Sequence, residues 1–261
     1  MHTSKFRYLL PLALLVPAFL AACNGRSVDT EITADYRVEG GLVQDMNVDS
    51  VFAVAVFNRN DSNLVTASIK LGADSLRYND PLAAVSSTYF FGRSSASRYA
   101  GDNPALTLKD ATRFADTLAE SVVDTFRITN FVPPTHIVQG NEAVSLEWTA
   151  SANAEAYVLA AVKSDAAYTG EGYSLYAPLS AVAGTIPPDA FLLEGTNNPD
   201  TGLYNVYVYA LSGVPDSALT EPLLPVPLPN QLADNISVTS LTGRFGSIMV
   251  AVKDTVRVSQ Q

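Results

Sequence analysis

The sequence predicts an all-β chain: a secretory signal peptide followed by two β-sandwiches in tandem. Three observations predict it. A basic start and a short apolar run open the chain. Beyond them, apolar residues recur mainly with a period of two. A Pro-Pro break near the middle divides the rest into two halves, each with several such runs.

The opening carries Lys5 and Arg7, then an apolar run from Tyr8 to Ala22 interrupted by Pro11 and Pro17. A membrane-spanning helix needs about 20 apolar residues. This run is shorter, and its basic flank fits the core of a signal peptide, residues 1–22. It ends in Leu20-Ala21-Ala22-Cys23. That stretch resembles the lipobox of bacterial lipoproteins: an aliphatic residue, two small residues that let a peptidase reach the backbone, and a cysteine whose thiol takes a diacylglycerol. The resemblance implies that Cys23 is the lipid-modified first residue of the mature chain and carries two or three acyl chains. Each buried methylene contributes roughly 0.8 kcal/mol, and two chains suffice for stable attachment. The expected partner at this end is therefore the lipid bilayer, reached through acylated Cys23. In that family an Asp after the cysteine favours inner-membrane retention. Asn24 stands there instead, which implies the outer membrane of the cell envelope. Residues 23–31 read as a lipidated tether, polar after the cysteine and without apolar periodicity.

Composition narrows the chemistry. The first 22 residues hold Lys5 and Arg7 and no acid, so the net charge of −10 for the whole chain becomes −12 for residues 23–261. Such a surface repels phosphate backbones, and nucleic acid is not an expected partner. Cys23 is the one cysteine, so no disulfide and no thiolate metal site is expected. His136 is the one histidine beyond the signal, which excludes histidine clusters with metal-ligand spacing. No cofactor is expected.

Residues 32–129 are expected to form the first sandwich. Val51 to Phe57 is continuously apolar, the pattern of a strand buried on both faces. Residues 58–63 are rich in Asn and Asp and read as a turn. Val65, Ala67, Ile69 and Leu71 then alternate with polar residues, which predicts a second strand over 64–71 and a hairpin with the first. Further strands are expected at 88–91, 105–109 and 125–131. Ala111, Phe114, Ala115, Leu118 and Val122 match a helical face as well as a strand, and both readings stand.

Pro133-Pro134 marks the junction, and residues 130–261 are expected to form the second sandwich. Val144, Leu146 and Trp148 alternate with polar residues, and an apolar stretch runs from Tyr157 to Val162. After a turn at 197–202, Tyr204, Val206, Val208 and Ala210 alternate with Asn205, Tyr207 and Tyr209. Ile248, Val250 and Val252 predict a late strand between Gly246 and Asp254. Pro222, Pro225, Pro227 and Pro229 form a connection that no sheet interior accepts. The three runs beginning at Val144, Tyr157 and Tyr204 resemble strands B, C and F of a fibronectin type III domain, an immunoglobulin-like sandwich. The resemblance implies that Trp148 belongs to the core and that Tyr204 forms a tyrosine corner, its hydroxyl bonding upstream backbone. The long span and the Pro-rich stretch depart from that family's usual module.

The residues offer little catalytic chemistry. His136 follows the junction prolines, and no G-x-S-x-G elbow supplies a nucleophile for it. Carboxylates such as Glu147 fall on loops or outward strand positions, and nothing selects a pair for glycoside hydrolysis. Asn58, Asn60, Asp61 and Asn63 form one oxygen-rich cluster and Asn197, Asn198 and Asp200 another. Both have the chemistry of turns rather than the EF-hand order of a calcium loop. Tyrosine is the more suggestive residue. Tyr168, Tyr173 and Tyr176 crowd one stretch and are the expected partner surface, and Tyr207 and Tyr209 share a strand face. The expected function is a membrane-anchored, non-catalytic binding or scaffolding role in the cell envelope, with an envelope protein or glycan as partner. An envelope-polymer hydrolase using carboxylates, or an accessory subunit of an outer-membrane assembly, are the alternatives.

Overall fold

Period-two patterning becomes strand wherever one face can be buried, and the structure is built from such strands. It is a computed structural model that describes residues 35–83, 86–139, 142–164, 172–214 and 232–260. The first half holds β1 (Tyr36–Asp45), β2 (Ser50–Arg59), β3 (Ser62–Asn63), β4 (Ser68–Leu71), β5 (Asp74–Tyr78), β6 (Tyr89–Ser94), β7 (Ala105–Asp110) and β8 (Phe114–Ala119). The second half holds β9 (Ile128–Val132), β10 (Ile137–Gln139), β11 (Val144–Trp148), β12 (Ala156–Lys163), β13 (Tyr173–Pro178) and β14 (Ala183–Ile186). The 3-10 turn Pro188–Phe191 leads to β15 (Gly202–Ser212), β16 (Ile236–Val238), β17 (Leu241–Val250) and β18 (Asp254–Ser259). The chain is all-β, with sandwich-like sheets, as the alternation predicts.

The second sandwich follows from three runs that each bury one face. β14, β11 and β9 pair in that order as a three-stranded sheet. Opposite it lie β13, β12, β15, β18 and β10, joined edge to edge. Leu146 and Trp148 from one sheet meet Leu159, Val206 and Val208 from the other in a common core. Trp148 is 3% exposed and packs 5.4 Å from the Tyr157 ring. Side chains of this size contribute roughly 1.5–3 kcal/mol each when buried, so this layer holds the half together. β12 is buried on both faces: Ala156, Val158 and Ala160 turn away from the Trp148 core into a second cluster with Tyr209, Leu211 and Ile248.

The first sandwich runs β1-β2-β6-β5-β4-β7-β8. Here three expectations change. The run over 51–57 is not buried on both faces; Val51, Ala53, Ala55 and Phe57 are fully buried, and the residues between them are half-buried. The strand expected over 64–71 starts only at Ser68, and Val65 is 54% exposed. The expected hairpin is also different: β2 turns tightly into β3 and takes β1 and β6 as its long partners, while β4 pairs with β5 and β7. The alternation from Val65 thus continues through a connecting segment before it enters the sheet. The segment that fitted both periods is a strand, β8, because Phe114 and Leu118 are also an even number apart and lie on one strand face against the core.

The late strand begins earlier than expected, at Leu241, and Gly246 lies inside it. β17 pairs in parallel with β1 over its whole length, and its last four residues pair with β15. Its side chains divide accordingly. Leu241 and Phe245, with Ile236 from β16, lie in the core of the first sandwich; Met249 lies in the core of the second. Val122 and Val123 divide the same way, one into each core.

Candidate partner surface

β13 alternates along Tyr173-Ser-Leu-Tyr-Ala-Pro, and among the described residues its strand partner is β12, at the edge of that sheet. Tyr173 and Tyr176 are three residues apart, and a strand puts such residues on opposite faces. Tyr173 is half-buried and packs against the second core. Burial, with Asp189 nearby, raises its phenol above the usual range. Tyr176 is 48% exposed on the other face. Just beyond the strand, Leu179 is 56% exposed and Val182 46%. Asp189 also lines a shallow cavity of about 250 Å³ in the loop after β14, with Leu192, Leu193, Glu194 and Asn197. The edge therefore presents one tyrosine and exposed aliphatic groups beside a polar loop. Tyr168 and Cys23 lie outside the described residues.

The other candidates take structural places. Tyr207 and Tyr209 stack at 5.8 Å, but Tyr209 is wholly buried and its phenol is raised well above the usual range by that burial. His136 has φ +54 and lies flat against Phe131 at 4.3 Å. Its Nδ1 is 3.0 Å from the Thr255 carbonyl and 3.1 Å from the Asp254 carboxylate, so the ring ties the junction to β18. Glu147 points outward from β11.

The two Asn/Asp clusters are turns with their own partners. Asn60 and Asp61, at φ +48 and +61, make the two-residue turn between β2 and β3, a conformation that Asn and Asp tolerate well. Asn60 accepts the Asp35 N–H at 2.9 Å, and Asn63 donates to the Ser87 carbonyl at 2.8 Å. In the second cluster burial alone would raise the Asp200 carboxyl. The Lys163 ammonium at 2.6 Å and the Tyr204 hydroxyl at 2.8 Å hold it below the usual range instead. The same hydroxyl lies 3.2 Å from the Asp200 carbonyl, the tyrosine corner expected of Tyr204. Among the described residues no three His, Cys, Asp or Glu side chains gather as a metal site. The carboxyl pushed furthest up is Glu120, to about 7, and burial is the whole cause.

Sequence reading missed several polar clusters, one of them at Asp74. Asp74, nearly buried, accepts from the Tyr99 hydroxyl and from Arg98 Nε at 2.9 Å. No local signal joins residues about 25 positions apart; the segment after β6 returns to the start of β5.

The sequence matches no protein-family model and no curated protein. Among solved structures, it is similar to the FN1-FN3 domains of chicken CNTN1, at 8% identity and a TM-score of 0.28, over 66% of this chain and 59% of that one. The chain thus spans less than two thirds of that fragment. It is also similar to the DIP-gamma IG1+IG2 domains, at 10% identity and a TM-score of 0.21, over 88% of this chain and 99% of that one. A third likeness is to the titin domains Z1Z2 in complex with telethonin, at 11% identity and a TM-score of 0.22, over 87% and 94%. Values this low carry no argument about fold or activity; the immunoglobulin-like assignment rests on the two facing sheets, the Trp148 core and the Tyr204 corner.

Proposed function

We propose that this protein is a lipid-anchored binding or scaffolding protein of the cell envelope, held at the outer membrane through Cys23 and acting by contact rather than catalysis. The observation that supports it is the β13 edge. Among the described residues β13 pairs with β12, and a strand at a sheet edge is a usual place for a partner to dock. Here that edge carries exposed Tyr176 with exposed Leu179 and Val182 beside it. An envelope protein or a glycan suits such a surface, because tyrosine gives a large, rigid contact area with a polar tip. Within the tyrosine group expected from the sequence, Tyr176 is the described member free to take part, since Tyr173 is committed to the core.

One experiment separates the anchor from the surface. Wild type, Cys23→Ala and Tyr176→Ala/Leu179→Ala chains are expressed with a clickable fatty acid and recovered from solubilised envelopes. Cys23→Ala is expected to lose the label and leave the membrane fraction. The double variant is expected to keep the label and its circular dichroism while partner recovery drops about tenfold. Undiminished labelling of Cys23→Ala would remove the anchor from this reading, and equal partner recovery by the double variant would remove the β13 edge.

A further inference from the structure

The first sandwich turns a corner at β5, and the corner leaves an opening. Asp74–Leu76 pair with β4, whereas Arg77 and Tyr78 pair with β6, opposite Phe90 and Tyr89. β6 runs on to Ser94 with β2 as its partner. The ladder between β5 and β6 therefore parts beyond Arg77, and a cleft of about 340 Å³ lies in the gap. That size is at the small end of small-molecule sites and suits a single ring.

Three kinds of group meet there. The first is an aromatic face: Phe90 lines the cleft half-buried, braced by Phe52 at 6.2 Å, and its ring edge lies over Gly92, where any β-carbon would come within 3.2 Å of it. The second is a guanidinium group: Arg77 stands directly opposite Phe90 in the ladder and so shares its face of the sheet. Arg93, three residues from Phe90, leaves β6 on the other face, over the Phe91 ring at 5.8 Å and 3.8 Å from Asp74, and so does not share the Phe90 face. Arg77 makes no hydrogen bond or ion pair among the described residues. The third is acceptor oxygen. Asp80 accepts the Leu82 N–H at 2.9 Å through one carboxylate oxygen, and its other oxygen is open among the described residues. Asp74, although it lines the same cleft, is spent on Tyr99 and Arg98.

The combination selects a ligand class. Guanidinium groups recognise carboxylates through paired N–H donors. A lone carboxylate would leave Phe90 and Asp80 without partners, and a neutral sugar would leave Arg77 without one. A ring with an apolar C–H face, hydroxyl donors and a carboxylate satisfies all three. We propose that the cleft between β5 and β6 binds the carboxylated ring of an acidic saccharide, with its carboxylate on Arg77, its ring face on Phe90 and a hydroxyl on Asp80. This site stands on the first sandwich and does not depend on the β13 reading.

The test titrates the full chain in detergent with D-glucuronate, and in parallel with D-glucose and acetate, followed by ligand-detected NMR saturation transfer. Glucuronate is expected to bind saturably with a Kd on the order of 1 mM and to bind at least about tenfold tighter than either partial ligand. Arg77→Gln is expected to weaken glucuronate about tenfold with an unchanged melting midpoint, because Arg77 is exposed. Phe90→Leu keeps an apolar side chain beside Phe52 and removes the flat ring face, and it is expected to weaken binding at least about threefold. Absence of saturable binding, equal binding of glucose, or unaltered binding by Arg77→Gln each overturns the proposal.

Discussion

At the scale of single residues, what the sequence could disclose depended on how far away the partner stood. The Tyr204 corner was legible because its acceptor, Asp200, is four positions upstream in the same turn. Trp148 was legible because alternation alone places it on the buried face of β11. The Asp74–Tyr99–Arg98 group and the burial of Glu120 were not, since both depend on chain that returns from elsewhere. Glu120 supports a prediction on pH. Its folded pKa of about 7 lies above the ordinary glutamate value of 4.5, so the folded state holds the proton through that window more tightly than the unfolded chain does. Stability should then fall as pH rises from about 4.5 to about 7, and the cost of the buried charge persists above it. Glu120→Gln removes the cost. Chemical denaturation should show the variant more stable than wild type by about 1–2 kcal/mol at pH 8 and equal to it at pH 4.5. A constant difference across that range would mean that burial of the charge is not what the substitution relieves.

At the scale of elements, strands whose alternation faces a single core were read in place: β11, β12 and β15 match the expected runs within a residue or two. The errors arose where a pattern continued without a sheet to receive it. The stretch 64–67 alternates as well as 68–71 does, but only the latter finds neighbours, in β5 and β7. β17 shows the opposite case, with more sheet than its pattern suggested. Gly243 and Gly246 interrupt its apolar period, and both glycines are where the backbone comes closest to another strand. A β-carbon on Gly243 would lie 1.9 Å from the Val38 carbonyl, and its φ of +126 is one that L-residues rarely adopt. On Gly246 it would lie 2.3 Å from the Ser212 carbonyl. Gly243→Ala should therefore force β1 and β17 apart and cost roughly 3 kcal/mol or more. For a chain of this size, thermal unfolding should show the midpoint lowered by about 6–12 °C. An unchanged midpoint would contradict the close β1–β17 approach.

At the scale of the whole molecule, the way the two cores share strands was not legible in the sequence. Parallel pairing of β1 with β17 joins residues about 205 positions apart, and no short-range pattern encodes such a return. The consequence is thermodynamic. β17 gives Leu241 and Phe245 to the first core and Met249 to the second, while its backbone is bonded to β1 along ten residues. Removing residues 1–129 would strip that partner away and expose Ile236, Leu241 and Phe245 together. At roughly 1.5–3 kcal/mol for each buried side chain, the loss approaches the 5–15 kcal/mol net stability of a typical domain. The fragment 130–261, although it contains the Trp148 core and the Tyr204 corner, is expected not to fold stably by itself. The full chain is expected to unfold in a single cooperative transition, because neither core can lose β17 without the other losing it too. Calorimetry of the full chain beside the isolated fragment decides the matter. Two resolved transitions in the chain, or a sharp melt in the fragment at a similar temperature, would show that the second sandwich stands without β1 and that the shared strand does not couple the cores.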